Sequence, residues 1–172
     1  MKRFNYTGTH KDDEAYMQKM CHEGMAAVRL VEGFWTFERC IPDQYTYRMA
    51  YVRGMSKEEI EQFKQECSEK EIEFVSKYSF WMIFRSVHFF DLYTDAEELK
   101  ICEKIYGLMP AGTVVSFLFF ILLSVLSFKV TCLLVIPAGL TAVYSLVCAR
   151  CTYCYGHLLE ELKRKITEGD QL

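Results

Sequence analysis

The 172-residue chain has no excess of positive charge, no glycine-rich phosphate loop and no set of residues spaced for catalysis. Residues 1–108 carry 15 Lys and Arg against 19 Asp and Glu, a net charge of −4. The basic footprint that phosphate binding requires is missing, which argues against nucleic acid as a partner. Without a phosphate loop, nucleotide hydrolysis is not indicated either. His10, His22, His88 and His157 are scattered, and none has a Ser, Cys or carboxylate at triad or acid–base spacing. The chain is therefore read as a non-enzyme that needs no cofactor. Its opening stretch, MKRFNYTGTHKDDE, holds no apolar run, so no signal peptide is expected and the N-terminal domain should stay in the cytoplasm. The sequon Asn5-Tyr6-Thr7 would then go unused.

Charge itself is scarce from 109 to 149, where Lys129 is the only charged residue. A hydrocarbon core about 30 Å thick takes roughly 20 apolar residues in a helix. Residues 109–128 supply one such run and 130–149 a second. A Lys at the bilayer centre costs roughly 2.5–3.5 kcal/mol, so the spacing predicts a turn near Lys129 at the far membrane face. Lys100 and Lys104 precede the first run, and Arg150, Lys163, Arg164 and Lys165 follow the second. This distribution predicts a multi-pass membrane protein with both termini cytoplasmic. Pro137-Ala138-Gly139 should kink the second span and allow close helix approach.

The N-terminal part alternates short strands and helices. Residues 2–6 read as a strand, and a helix starting at 9–13 continues through Tyr16, Met17, Met20 and Cys21 to Gly24. Residues 26–30 and 34–39 predict a hairpin turning at Glu32-Gly33, and Pro42-Asp43 is turn chemistry. Residues 44–52 alternate, with Tyr45, Tyr47, Met49 and Tyr51 on one face. Ser56 with Glu59, and Thr94 with Glu97, are capping boxes. The first opens a helix burying Ile60, Phe63 and Cys67. The second opens one with Leu99, Cys102, Ile105 and Tyr106 inward, interrupted at Gly107 and Pro110. Residues 73–76 and 80–85 give another hairpin. At an offset of 46, residues 21–39 lie over 67–85, which places Trp35 on Trp81 and Arg39 on Arg85. The expected fold class is α+β: a duplicated βαββ, ferredoxin-like, with both helices on one face of an antiparallel sheet. Trp35 and Trp81 are read as core, their indole N–H groups partnered within strands or turns.

The short KRF strand, the FWTFERCIPDQYTYRMAY strand pair, the FWMIFR strand and the LYTDAEELKICEKI helix start together resemble the bacterial domain-of-unknown-function family 2812 over roughly residues 2–108. Many members carry a similar hydrophobic hairpin. Members are often encoded beside PadR-type transcriptional regulators, so the resemblance implies a regulated or regulatory membrane-associated role. The family has no assigned catalytic residues. The chain departs from the usual pattern at Val87-His88-Phe89-Phe90, where a more polar run is expected.

Cys148, Cys151 and Cys154 end the second span, with His157 at the same interval, and Cys102 faces them across the pair. Steps of three along a helix drift by about 60° each, so these side chains do not converge tetrahedrally without help. A metal or redox site there, and juxtamembrane lipidation, are set beside the plainer reading of small apolar side chains between helices. All eight cysteines are taken as reduced. Asp12-Asp13-Glu14 and Glu58-Glu59-Glu61 are read as first turns of helices. After Cys154 a stripe of Leu158, Leu159, Leu162 and Ile166 continues the helix, so both spans should extend into the cytoplasm as an antiparallel pair coupled to the domain. Lys163, Arg164 and Lys165 could touch anionic lipid.

The domains expected are a cytoplasmic α+β domain over 1–93, a connecting helix over 94–108, a transmembrane hairpin over 109–149 and a cytoplasmic helical tail over 150–172. The expected function is a membrane-anchored sensing, regulatory or protein-interaction module without catalysis. Its partners are the lipid bilayer and another membrane or cytoplasmic protein, with self-association left open. The alternatives are an accessory subunit of a transport or efflux assembly, and a metal or redox protein built on the Cys cluster. Spans without intramembrane charge argue against a substrate pathway of the chain's own.

Overall fold

The computed structural model describes residues 1–4, 8–31, 34–130 and 135–169, with side chains at all of these except Phe4, 126–130, 135–138 and Gly169. The chain divides into two units, Met1–Leu92 and Tyr93–Leu172.

The first unit runs β1 (Lys2–Phe4), α1 (His10–His22), β2 (Met25–Val31), β3 (Phe34–Arg39), then β4 (Thr46–Tyr51), α2 (Lys57–Glu69), β5 (Glu73–Tyr78) and β6 (Trp81–Ser86). Both helices start at capping boxes. Thr9 and Asp12 bond each other's backbone amides at α1, and Ser56 and Glu59 do the same at α2. This satisfies amide groups that a helix start leaves without partners. Pro42 and Asp43 form the expected turn, with Gln44 N–H donating to the Ile41 carbonyl at 3.1 Å. The Glu32-Gly33 turn and the sequon at 5–7 lie outside the described residues.

The fold is α+β, but the strands form two antiparallel three-stranded sheets, β1-β3-β2 and β4-β6-β5, where one sheet covered by both helices was expected. The reason lies in which faces are apolar. In β3, Trp35 and Phe37 are buried, and Tyr16 of α1 lies 6.1 and 6.0 Å from their rings. In β6 both faces are apolar. Met82 and Phe84 point one way, and Phe84 meets Phe63 of α2 at 5.5 Å. Ile83 points the other way and joins Tyr47, Met49 and the α1 residues Met17 and Met20 in one core. The central strand β6 is thus buried on both faces, and α1 packs against both sheets. It also caps the edge of β4: Glu14 accepts from Met49 N–H at 2.7 Å, and Gln18 donates to the Tyr45 carbonyl at 3.1 Å.

Equivalent positions in the two halves lie 47 residues apart, not 46. α1 begins at His10 and α2 at Lys57. Arg29 pairs with Thr36 and Ser76 with Ile83, each directly after a bulge. A one-residue shift turns a strand's side chains to the opposite face, so Trp81 answers to Phe34 and Met82 to Trp35. Trp35 is fully buried, whereas Trp81 is half-buried and stacks on His10 at 4.4 Å. The Trp35 indole N–H, expected to find a partner, is buried without one among the described residues.

The second unit is α3 (Asp95–Val130) and α4 (Val135–Gly169). Gly107 and Pro110 do not interrupt α3, since a proline there removes one bond, to the Tyr106 carbonyl, from a helix of 36 residues. Lys129, expected in a turn, lies in the last turn of α3. The joining residues 131–134, and with them part of the second apolar run, lie outside the described residues. So do the side chains at the expected Pro137 kink.

Gly24 and Glu71 are equivalent positions just past α1 and α2, and both are left-handed, at φ 77° and 60°. Only glycine adopts that conformation without a steric cost. Glu71→Gly is expected to stabilise the first unit by up to about 1 kcal/mol, whereas Gly24→Ala should destabilise it, its Cβ falling 3.3 Å from the Cys40 carbonyl. Urea unfolding followed by tryptophan fluorescence checks both directions.

Candidate functional site

In the second unit, α3 and α4 run antiparallel. Thr113 and Thr152 hydroxyls lie 3.5 Å apart, Ser116 and Ser145 hydroxyls 3.1 Å apart, and Lys163 pairs with Glu103 at 3.1 Å. Small hydroxyl residues let two helices approach closely and bond within an apolar setting. The outward surfaces are largely apolar among the described residues. Val115, Leu118, Leu122 and Val125 of α3, and Leu140, Val143 and Leu146 of α4, are each more than half exposed. Among the described residues one helix, α3 over 95–125, is long and apolar enough to cross a membrane.

Where the apolar surface ends, an open groove of about 590 Å³ lies between the helices. Thr113 and Thr152 line it, together with the Tyr106 ring, Tyr153, His157 and Glu160. Gly156 makes room for Tyr106, because a Cβ there would come within 3.2 Å of the ring.

In the first unit the buried polar cluster centres on Arg85, whose side chain is 11% exposed. It donates two hydrogen bonds to Glu73, at 2.8 and 3.1 Å, and its guanidinium covers the Tyr45 ring at 4.5 Å. Burial works against the Arg85 charge, but Glu73 outweighs it and holds the pKa above its ordinary value. Glu38 of β3 lies 3.6 Å from Arg85 and so joins the two sheets. Beside it, Cys21 and Cys40 have sulfurs 4.0 Å apart. Burial, then the neighbouring Cys21, pushes the Cys40 thiol up to about 11. Burial likewise pushes Tyr47 up to about 12, opposed by the hydrogen bond its oxygen accepts from Ala27 N–H. The raised Cys40 value disfavours the reactive thiolate.

The model of the family described as "Protein of unknown function (DUF2812)" matches residues 9–109. The chain belongs to the DUF2812 family. No curated protein and no solved structure matches it. The DUF2812 match runs from the cap of α1 to the point in α3 where the charge-free run begins, so most of the helix pair lies beyond it.

The residues singled out from sequence fall mostly in that outer part. Cys148, Cys151 and Cys154 are half-buried on α4, Cys102 is fully buried on α3 and His157 is exposed. No three His, Cys, Asp or Glu side chains gather as a metal-holding group among the described residues. The lipid-contact candidates all face acids: Lys163 with Glu103, Arg164 with Glu168 at 3.8 Å and Lys165 with Glu161 at 3.3 Å. In this DUF2812 chain the segment Val87-His88-Phe89-Phe90 is anchored by Arg48, which covers Phe89 at 5.2 Å and bonds Asp91 at 2.9 Å. Sequence reasoning missed the groove and the Arg85 cluster. Gly156 inside a regular helix was the available signal for the first, since an isolated helical glycine often marks close packing.

Protonated His22 donates from Nδ1 to the Asp43 carboxylate at 2.8 Å, and that hydrogen bond, followed by the Asp43 charge, raises its pKa above 6.5. A raised histidine value gives stabilisation that is present below about pH 6.5 and lost as pH rises through the folded-state pKa. A proton NMR titration should show His22 titrating above 6.5 in the native protein, and nearer 6.5 in Asp43→Asn.

Proposed function

We propose that this DUF2812 protein is a multi-pass membrane protein whose α3 and α4 span the bilayer and carry a regulatory α+β module that acts through protein contacts. The observation that carries the reading is the outward apolar surface of α3 and α4, too extensive to stand in water without cover. The lone charge of the 109–149 run and the basic residues flanking it favour both termini on the cytoplasmic side. The first unit is read as a duplicated βαββ of ferredoxin-like descent. Its support is the shared element order, the 47-residue offset and the bulge common to both halves. Such a module acts without catalysis, and Phe89, 75% exposed, is its natural contact point.

The full-length chain should stay with membranes after alkaline carbonate washing. With a photocrosslinking phenylalanine analogue in place of Phe89, it should capture a defined protein in native membranes. If crosslinks form only from the same analogue at Leu146, the helices carry recognition and an accessory role in a transport assembly replaces this reading. Release into the carbonate supernatant would remove the membrane assignment altogether.

A further inference from the structure

The groove between α3 and α4 has a chemistry the membrane reading does not use. Glu160 is its one charged lining residue, and no Lys or Arg lines it. Glu160 makes no ion pair or hydrogen bond among the described residues. Pro110 has no amide hydrogen, which leaves the Tyr106 carbonyl without its helical donor at the same level. The Thr113 and Thr152 hydroxyls already donate to carbonyls of their own helices, to Met109 at 3.0 Å and Cys148 at 2.9 Å, and offer oxygen lone pairs to a ligand. Tyr106 lies against Gly156, and Tyr106 and Tyr153 line the same groove as Glu160. The groove is rich in acceptors and π faces and carries one negative charge. Towards its other end it meets Val114 and Ala149, at the start of the charge-free helix surface.

We propose that this groove binds a cationic amphiphile, an alkyl chain bearing an ammonium or quaternary ammonium head. The head sits between Tyr106, Tyr153 and Glu160, and the tail lies along the apolar helices. Aromatic faces with an adjacent carboxylate attract ammonium groups, and the volume is that of ordinary small-molecule sites. A phosphate-bearing headgroup fits less well, because no lining cation answers the phosphate. Lys163, Arg164 and Lys165 each face an acid of their own. The proposal rests on the membrane reading only for the direction of the tail.

The test uses the full-length protein in uncharged maltoside micelles with an alkyltrimethylammonium probe carrying a photoactivatable diazirine in its chain. Saturable labelling should map to the peptides around 106–114 and 149–160. It should be competed by dodecyltrimethylammonium but not by dodecyl sulfate. Glu160→Gln should weaken apparent affinity about tenfold, and Tyr153→Leu several-fold, as expected for loss of one charge or one π face. Equal competition by the sulfate, labelling elsewhere or unchanged affinity in Glu160→Gln overturns the proposal. Carbonate washing of the same variants separates this failure from failure of the membrane reading, since a protein that stays in membranes without head selectivity refutes the groove alone.

Discussion

The helix α3 turns Val115, Leu118, Leu122 and Val125 outward with no charge between Met109 and Phe128, and over 95–125 it is long and apolar enough to cross a membrane. Covering such a face would contribute roughly 25 cal/mol per Å² of apolar surface removed from water. That constraint governs the second unit. It explains why the polar contacts of α3 and α4 are turned toward each other, as Thr113 to Thr152 and Ser116 to Ser145, and why charged pairing such as Lys163 with Glu103 resumes where the apolar surface stops. The groove lies at that changeover, where an amphiphilic ligand and an amphiphilic surface share a boundary.

The first unit answers a different constraint, that of placing two small sheets around too few apolar residues. Three strands with one helix bury little by themselves. Here α1 gives Met17 and Met20 to a core that both sheets share, and its Glu14 and Gln18 occupy the edge of β4. Arg85 and Glu38, equivalent positions at the 47-residue offset, face each other across the two halves and bring a charge pair to their junction. The buried Arg85 is tolerated because Glu73 meets its guanidinium with two hydrogen bonds.

Several elements were legible in the residues alone. The capping boxes at Ser56 and Thr94, the Pro42-Asp43 turn, the alternation of β4, the apolar run of α3 and the family itself depend on local chemistry or short-range period. The order strand, helix, strand, strand recurs in both halves, but the register between them was not legible. Aligning Trp35 with Trp81 maximises identity, whereas the ladders align Trp35 with Met82. Residue identity carries no direction of pointing, and in a strand one position decides which face a side chain takes.

What the sequence determined by itself is therefore what nearest neighbours along the chain decide: where helices begin, where charge disappears, which segments extend. Only the tertiary structure decided that the strands split into two sheets and that α3 continues through Pro110 and Lys129. It alone brought Glu160 and two tyrosines to one groove. The physical reason is that each depends on surfaces far apart in sequence: two apolar faces on β6, a partner helix along α3, and a glycine fifty residues from the ring it accommodates.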